Sequence, residues 1–301
     1  MSTRNVLVTG ATGFIGGHVV RAALKRGDSV WALSRDARRA RRQLPGAAHV
    51  VGALAEIPAA ENIDAIINLA GAPVIGPPWT RARRQLLIDS RVRTTEALLA
   101  WCAARSSRPK VLVSASAIGF YGPAGDTWLD ESSPPQAVFQ SQLCRAREVA
   151  ANAAQDIGIR AVNLRIGLVL GADGGIFTRL VLPAKLGLAA RIGDGQQWMS
   201  WIHIDDMVRI LERALDQPAM QGAVNAVAPA PVRQGDFQRQ LTRALHRPLW
   251  LRIPAIALRL GLGEMAELLV QGQRVTPRRL LDAGFTYQHA TLASALADLL
   301  K

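Results

Sequence analysis

Two cysteines, Cys102 and Cys144, are all that 301 residues contain. They stand far apart, and no cysteine or histidine falls at a ligand-like spacing, so neither a disulfide framework nor a metal site is expected. Long apolar runs are also lacking. The stretch from Ala161 to Leu170 is broken by Asn163 and Arg165, far short of the ~18 residues a membrane span needs. No basic segment leading into an apolar one precedes Val6, which predicts an unprocessed, cytoplasmic protein with no membrane partner. Lysine is scarce too: Lys25, Lys110, Lys185 and Lys301 are the only ones among 36 basic residues. The formal charge of +13 therefore comes from arginines spread along the chain. No zinc-finger, helix-turn-helix or RNA-binding aromatic pattern accompanies them, which argues against a nucleic-acid partner. One cluster, Arg35, Arg38, Arg39, Arg41 and Arg42, stands where a phosphate would be bound.

What is present suits a globular protein. At 49% apolar and 20% charged, the chain can bury a sizeable core. Short β-branched runs at Asn5–Thr9, Ser29–Ser34, His49–Gly52, Ala65–Leu69, Lys110–Ser116 and Arg160–Ile166 alternate with helical stretches at Phe14–Lys25, Thr80–Cys102 and Leu143–Ala154. That alternation predicts an α/β protein with a Rossmann-type doubly wound parallel sheet. Residues 1–170 would form the nucleotide-binding domain and 171–301 a smaller, mostly helical substrate-side region. The segment at about 199–228 is expected to return to the first domain. In the second part a helix is expected near Phe177–Leu188, then the segment Trp198–Asp206, with Asp205 or Asp206 capping the helix that follows. Strand–helix alternation continues to about Ala244. Thr276 and Pro277 read as an N-cap and first helical residue, and Gly284 as a stop.

The strongest local signal is the strand Val6–Thr9 turning into a helix through Gly10, Gly13 and Gly16. Glycines there let the backbone turn tightly and approach a pyrophosphate, while the helix N-terminus offers amide donors; the third lets helix and strand pack closely. The next strand ends in Ser34 and Arg35, where an NAD-specific site places a carboxylate for the ribose hydroxyl. A guanidinium here favours the 2′-phosphate of NADP(H), although Asp36 follows directly. After the fourth strand, Asn68-Leu69-Ala70-Gly71 offers small residues to the adenosine side, unless Asn68 serves only to satisfy local backbone groups.

The glycine spacing with its preceding threonine resembles the fingerprint of short-chain dehydrogenases/reductases. That resemblance implies a Ser, a Tyr and a Lys for catalysis, the last two spaced Tyr-x-x-x-Lys. The chain has only Tyr121 and Tyr287, and the positions four residues on are Gly125 and Thr291. Taking Glu148 as the Glu that follows the family's Tyr by eight residues puts Gln140 at the tyrosine position and Cys144 at the lysine position. Ser116 remains, at the end of the fifth strand, with Ser114 the more structural of the pair. Tyr121 is the nearest phenol that could replace the missing acid, or it packs the turn before Gly122. Cys144 is either a thiol acid or a small buried hydrophobe.

Further stretches narrow the resemblance: Trp79-Thr80, Ile88-Asp-Ser-Arg91, Ser114 to Gly122, Arg165 to Gly171, Gly263 to Leu269, and Gly272 to Leu280. Together they resemble the YfcH-like epimerase-family proteins, an atypical extended branch whose members lack the usual dyad and carry a C-terminal domain of unknown function. The resemblance and the motifs imply cofactor contacts at Gly10, Thr12, Gly13, Phe14, Ile15, Gly16, Ser34, Arg35, Leu69, Ala70, Gly71, Ser114, Ala115 and Cys144. They place catalysis at Ser116 and Tyr121, and substrate contacts at Glu131, Arg165 and His203. The expected activity is an NADP(H)-dependent oxidoreductase or epimerase-like reaction on a small carbonyl or hydroxyl compound. The alternative is a non-catalytic NADP(H)-binding sensor or regulatory protein. Homodimers through two helices flanking the sheet are common in that superfamily.

Overall fold

The computed structural model describes residues 3–301. Its first half follows the alternation read from the sequence: β1 Asn5–Thr9, α1 Phe14–Lys25, β2 Ser29–Leu33, α2 Ala37–Gln43, β3 His49–Val51, β4 Ala65–Asn68, α3 Arg81–Ala103 and β5 Val111–Ala117. The short helix α2 carries the arginine cluster; it was absent from the expected elements because ARRARRQ has almost no apolar period. Its N-cap is Asp36, whose Oδ1 accepts from Arg39 N at 2.9 Å. Thr80 caps α3 in the same way through Arg83 N.

After β6 Trp128–Leu129, helix α4 spans Phe139–Asn152 and begins four residues before the expected Leu143. Then come β7 Arg160–Ile166, β8 Leu168–Gly171, α5 Gly175–Lys185, β9 Ala190–Ile192, β10 Trp198–Met199, β11 Trp201–His203, α6 Ile204–Asp216 and β12 Gly222–Ala226. The segment 198–206 is thus two short strands and a helix start. The remainder is β13 Val232–Arg233, α7 Gln234–Ala244, β14 Leu251–Ile253, α8 Ala255–Leu262, α9 Glu267–Val270, β15 Arg274–Val275, α10 Arg278–Asp282 and α11 Leu292–Leu299. Pro277, not Thr276, occupies the N-cap of α10, and Gly284 ends it at φ +67°.

Seven parallel strands form the central sheet in the order β12-β7-β5-β4-β1-β2-β3. Side-chain alternation along each strand feeds two cores. Val6 and Val8 of β1, Ile67 of β4 and Val113 of β5 face the layer holding Val19 and Val20 of α1 and Met207 and Leu211 of α6. Leu7, Ile66 and Leu112, one residue out of step, face Leu98 and Cys102 of α3 and Ala151 of α4. Strands buried on both faces explain the near-continuous apolar runs in the sequence. A third core joins Phe177 of α5, Trp201, Phe237 of α7 and Leu292 of α11 beyond the sheet. No helix among the described residues is long and apolar enough to cross a membrane.

Strand order reverses between β1 and β4, and the crevice at their carboxyl ends is where such sheets bind ligands. Gly10 turns the chain there at φ +69°, and a Cβ on Gly16 would lie 2.2 Å from the main-chain oxygen of Gly10. Helix α1 can approach β1 this closely only with glycine at that position. Gly16→Ala is expected to lower unfolding stability by about 1–3 kcal/mol through overpacking, measurable as a lower urea midpoint at unchanged slope.

Candidate active site

At this crevice lies a cavity of about 690 Å³. Gly10, Thr12 and Gly13 line it from the β1–α1 turn, Leu69, Ala70 and Gly71 from the β4 end, and Ser34 and Arg35 from the β2 end. The sequence singled out all eight. The cavity also takes in Arg39 from the arginine cluster, Gly52, Ala53 and Leu54 after β3, and Ser90, Arg93, Thr94 and Ala97 on α3. The α3 residues were missed because nothing local marks which face of a long, arginine-rich helix turns toward a ligand.

The walls are held by a buried relay. Thr9 Oγ1 donates to Asn68 Oδ1 at 2.7 Å, Asn68 Nδ2 donates to Thr95 Oγ1 at 2.9 Å, and Thr9 Oγ1 accepts from Ala70 N at 3.2 Å. The Asn68 side chain is thus spent on the Thr9 and Thr95 hydroxyls, and the Ala70 amide is met by Thr9. Arg147, 5% exposed, donates to the Asn68 main-chain oxygen at 2.6 Å and to Ser114 Oγ at 3.3 Å. No carboxylate pairs with it among the described residues, and burial, with Arg91 nearby, lowers its pKa.

Several expected cofactor residues do not reach this cavity. The Phe14 ring packs over Gly171, Gly174 and Gly175, and the side chains of Ile15 and Ala115 join the sheet core. Gly16 serves helix–strand packing. Ser114 is fully buried beneath Arg147. Cys144 lies among Phe120, Tyr121, Leu129 and Val227, where burial, then Glu148, pushes its thiol up to about 11. It packs there as a small buried hydrophobe. Gln140 is buried as well, against Gly119.

Ser116, Tyr121 and Arg165 are brought together, though in a different arrangement from the one expected. Ser116 Oγ donates to Glu148 Oε1 at 2.7 Å. Arg165 grips the same carboxylate with two hydrogen bonds of 3.0 Å, from Nε to Oε1 and from Nη2 to Oε2. Its Nη1 donates to the Tyr121 hydroxyl oxygen at 3.1 Å and to the Glu131 main-chain oxygen at 3.2 Å, and its guanidinium lies 3.4 Å from the Phe120 ring centre. The Tyr121 hydroxyl in turn donates to Asn225 Oδ1 at 2.6 Å. At 1% exposure, with burial pushing its pKa up to about 12, this phenol is committed to the interior. Tyr121→Phe should leave Asn225 and Arg165 each short of a partner and cost about 1–3 kcal/mol of stability. Dinucleotide affinity should not change, as parallel unfolding and binding titrations would show.

Glu131 and His203 also have structural partners. Glu131 Oε1 accepts from Asn225 N at 3.0 Å and Arg279 N at 3.4 Å, tying the loop after β6 to the sheet edge and to α10. Its carboxyl pKa is raised by burial. His203, not an aspartate, caps α6: its Nδ1 accepts from Asp205 N at 3.1 Å, and its ring stacks on His289. Asp206 binds the main chain at residues 288 and 289 instead. Glu148 and Asn225 complete the polar network and were not foreseen in it, because their partners lie 17 to 104 residues away.

The cradle suits a dinucleotide. No side chain caps the N-terminus of α1, no acid lies in its first turn, and its start borders the cavity. Arg35 and Arg39 stand at the β2 end, and the Asp36 carboxylate beside them is engaged as a helix cap.

A family model described as NAD dependent epimerase/dehydratase matches residues 6–227, and one described as a domain of unknown function, DUF1731, matches residues 253–299. The epimerase family protein YfhF of Bacillus subtilis is 34% identical, with 98% of each chain covered. A chloroplastic homologue of the epimerase family protein SDR39U1 from Arabidopsis thaliana is 35% identical, covering 100% of this chain and 88% of its own. The crystal structure of human SDR39U1 isoform 2, described with NADPH, superposes with a TM-score of 0.87 at 33% identity over 98% of both chains.

Proposed function

Because the chain belongs to the NAD dependent epimerase/dehydratase family, we propose that it is an NADP(H)-dependent oxidoreductase or epimerase-like enzyme acting on a small carbonyl or hydroxyl compound, with Ser116 at the reacting oxygen. The observation that carries the chemistry is the 2.7 Å hydrogen bond from Ser116 to Glu148 at the carboxyl end of β5. The cofactor side rests on the glycine turn and on Arg35 and Arg39, with human SDR39U1, described with NADPH, as the parallel.

When bound, NADP(H) supplies or accepts a hydride. The protein's part is to hold the cofactor and manage a proton. The β1–α1 turn would hold the pyrophosphate, and Ser34, Arg35 and Arg39 the 2′-phosphate. The Ser116 oxygen has lone pairs left while its hydrogen is given to Glu148. It can accept the proton of a substrate hydroxyl as its own passes to the Glu148 carboxylate, at Oε1. In the reducing direction Glu148 first takes up a proton from solvent, and Ser116 passes a proton to the carbonyl oxygen as it receives that one. Arg165 fixes the carboxylate with two donors, so the relay has one geometry. Tyr121 takes no part.

A second reading, a non-catalytic NADP(H)-binding sensor, is favoured by the buried Gln140 and Cys144 at the family's usual Tyr and Lys positions and by the burial of Tyr121, the phenol that could have replaced the acid. Single-turnover oxidation of bound NADPH by a panel of small aldehydes and ketones separates the two. Under the enzymatic reading at least one is reduced, and Ser116→Ala slows it about 10²-fold or more. Tight NADPH binding without turnover of any carbonyl, or turnover indifferent to Ser116→Ala, defeats the assigned role of Ser116.

A further inference from the structure

Away from the crevice, His203, Asp205, His289 and Asp298 each place one donor atom within 4.8 Å of all the others. They gather at the seam where the start of α6 meets α11 and the loop before it. Asp206 anchors this seam, its two carboxylate oxygens accepting from Gln288 N at 2.8 Å and His289 N at 2.9 Å. The imidazoles of His203 and His289 stack with centres 3.8 Å apart, tilted by 31°. Nε2 of His203 and Nδ1 of His289 are both buried without a hydrogen-bond partner, and His203 is only 1% exposed. Asp298 Oδ2 faces His203 Nε2 at 3.5 Å, too far for a good hydrogen bond, while its other oxygen is held by Lys301 Nζ at 2.9 Å. Two orphaned imidazole nitrogens beside a half-engaged carboxylate lack a common partner.

We propose that His203 Nε2, His289 Nδ1 and Asp298 Oδ2 form a site for a divalent cation of the Zn²⁺ kind, which fastens the C-terminal segment to the start of α6. Two imidazoles and a carboxylate are a zinc donor set that leaves a fourth position for water. Ligation through Nε2 requires the ring proton on Nδ1, so His203 exchanges its hydrogen bond from Asp205 N for one donated to the Asp205 carboxylate, whose Oδ2 is 3.7 Å away. That places a carboxylate behind a metal-bound histidine, an arrangement that orients the ring. Asp205 and Asp298 are partly open to solvent and give the ion a way in. No ligand spacing in the sequence signals such a site, because its members come together only when α11 packs back, contrary to the expectation of no metal.

The test uses untagged, full-length protein stripped with EDTA and titrated calorimetrically with ZnCl₂ near neutral pH. One equivalent of Zn²⁺ should bind per chain and raise the thermal midpoint. His289→Gln and Asp298→Asn, which spare the α6 cap, should bind at least about tenfold more weakly while keeping the metal-free thermal midpoint close to that of the parent. Absence of stoichiometric uptake by the parent protein overturns the site. So does undiminished binding by both folded variants.

Discussion

Arg35→Ala should weaken NADPH binding by about 10- to 100-fold and leave NADH binding unchanged. Charge-assisted hydrogen bonds of this kind contribute about 1.5–3 kcal/mol, and only the 2′-phosphate distinguishes the two cofactors at the end of β2. Arg35 is exposed at the rim of the cavity, so the effect should shrink as salt is raised. The neighbouring carboxylate does not cancel it: Asp36 points its oxygen at Arg39 N and caps α2. Arg39, from the same helix, is the second donor, and Arg35→Ala/Arg39→Ala should bring NADPH down to the affinity of NADH. Calorimetric titration of both cofactors against the single and double variants measures this directly. Equal losses for NADPH and NADH would remove the phosphate from the explanation.

Arg165→Met should be the most destabilising of the substitutions considered, at about 3–5 kcal/mol in urea unfolding. Removing the guanidinium strands the Glu148 carboxylate, which is 7% exposed, and leaves the Tyr121 oxygen and the Glu131 main-chain oxygen without their donor. The cost comes from the orphaned charge, so the double variant Arg165→Met/Glu148→Gln should recover most of it, because the carboxamide carries no charge to bury. If Arg165 instead served mainly to bind substrate, the single variant would keep its stability and lose only affinity for the substrate. Chemical unfolding of the two variants side by side decides between these roles.

What the sequence discloses and what it hides divide along one line. The glycine turn, the β2 end and Leu69-Ala70-Gly71 were legible because each is a local pattern whose chemistry depends on backbone shape within a few residues. The sheet was legible because Val6 and Val8 on one side and Leu7 on the other must both be covered. The surroundings of Ser116 were not. Its partner Glu148 comes from α4, the group that holds Glu148 comes from β7, and Asn225, which accepts the hydrogen bond from the Tyr121 hydroxyl, comes from β12. Tyr121, the nearest phenol after Ser116, therefore reads as a substitute acid in sequence and is a buried hydrogen-bond donor in the fold. The same holds for Arg165 and Glu131, polar residues near a cleft whose side chains are occupied by partners distant in the chain. Helix α2 was missed for a different reason: only Ala40 on it is buried, so no apolar period announces it.

One of the two edge strands of the sheet, β12, is also its last to be synthesised. Its parallel neighbour β7 ends at Ile166, while β12 begins at Gly222. At ~5–20 residues per second, a ribosome needs about 3 to 11 s to deliver the missing strand. Throughout that interval β7, whose residues Ala161 to Ile166 are all buried in the finished protein, offers an open hydrogen-bonding edge. Nascent chains of this protein thus pass through a sticky stage set by topology alone, and a chaperone that shields strand edges would act on them in that window, before Ala226 has left the exit tunnel.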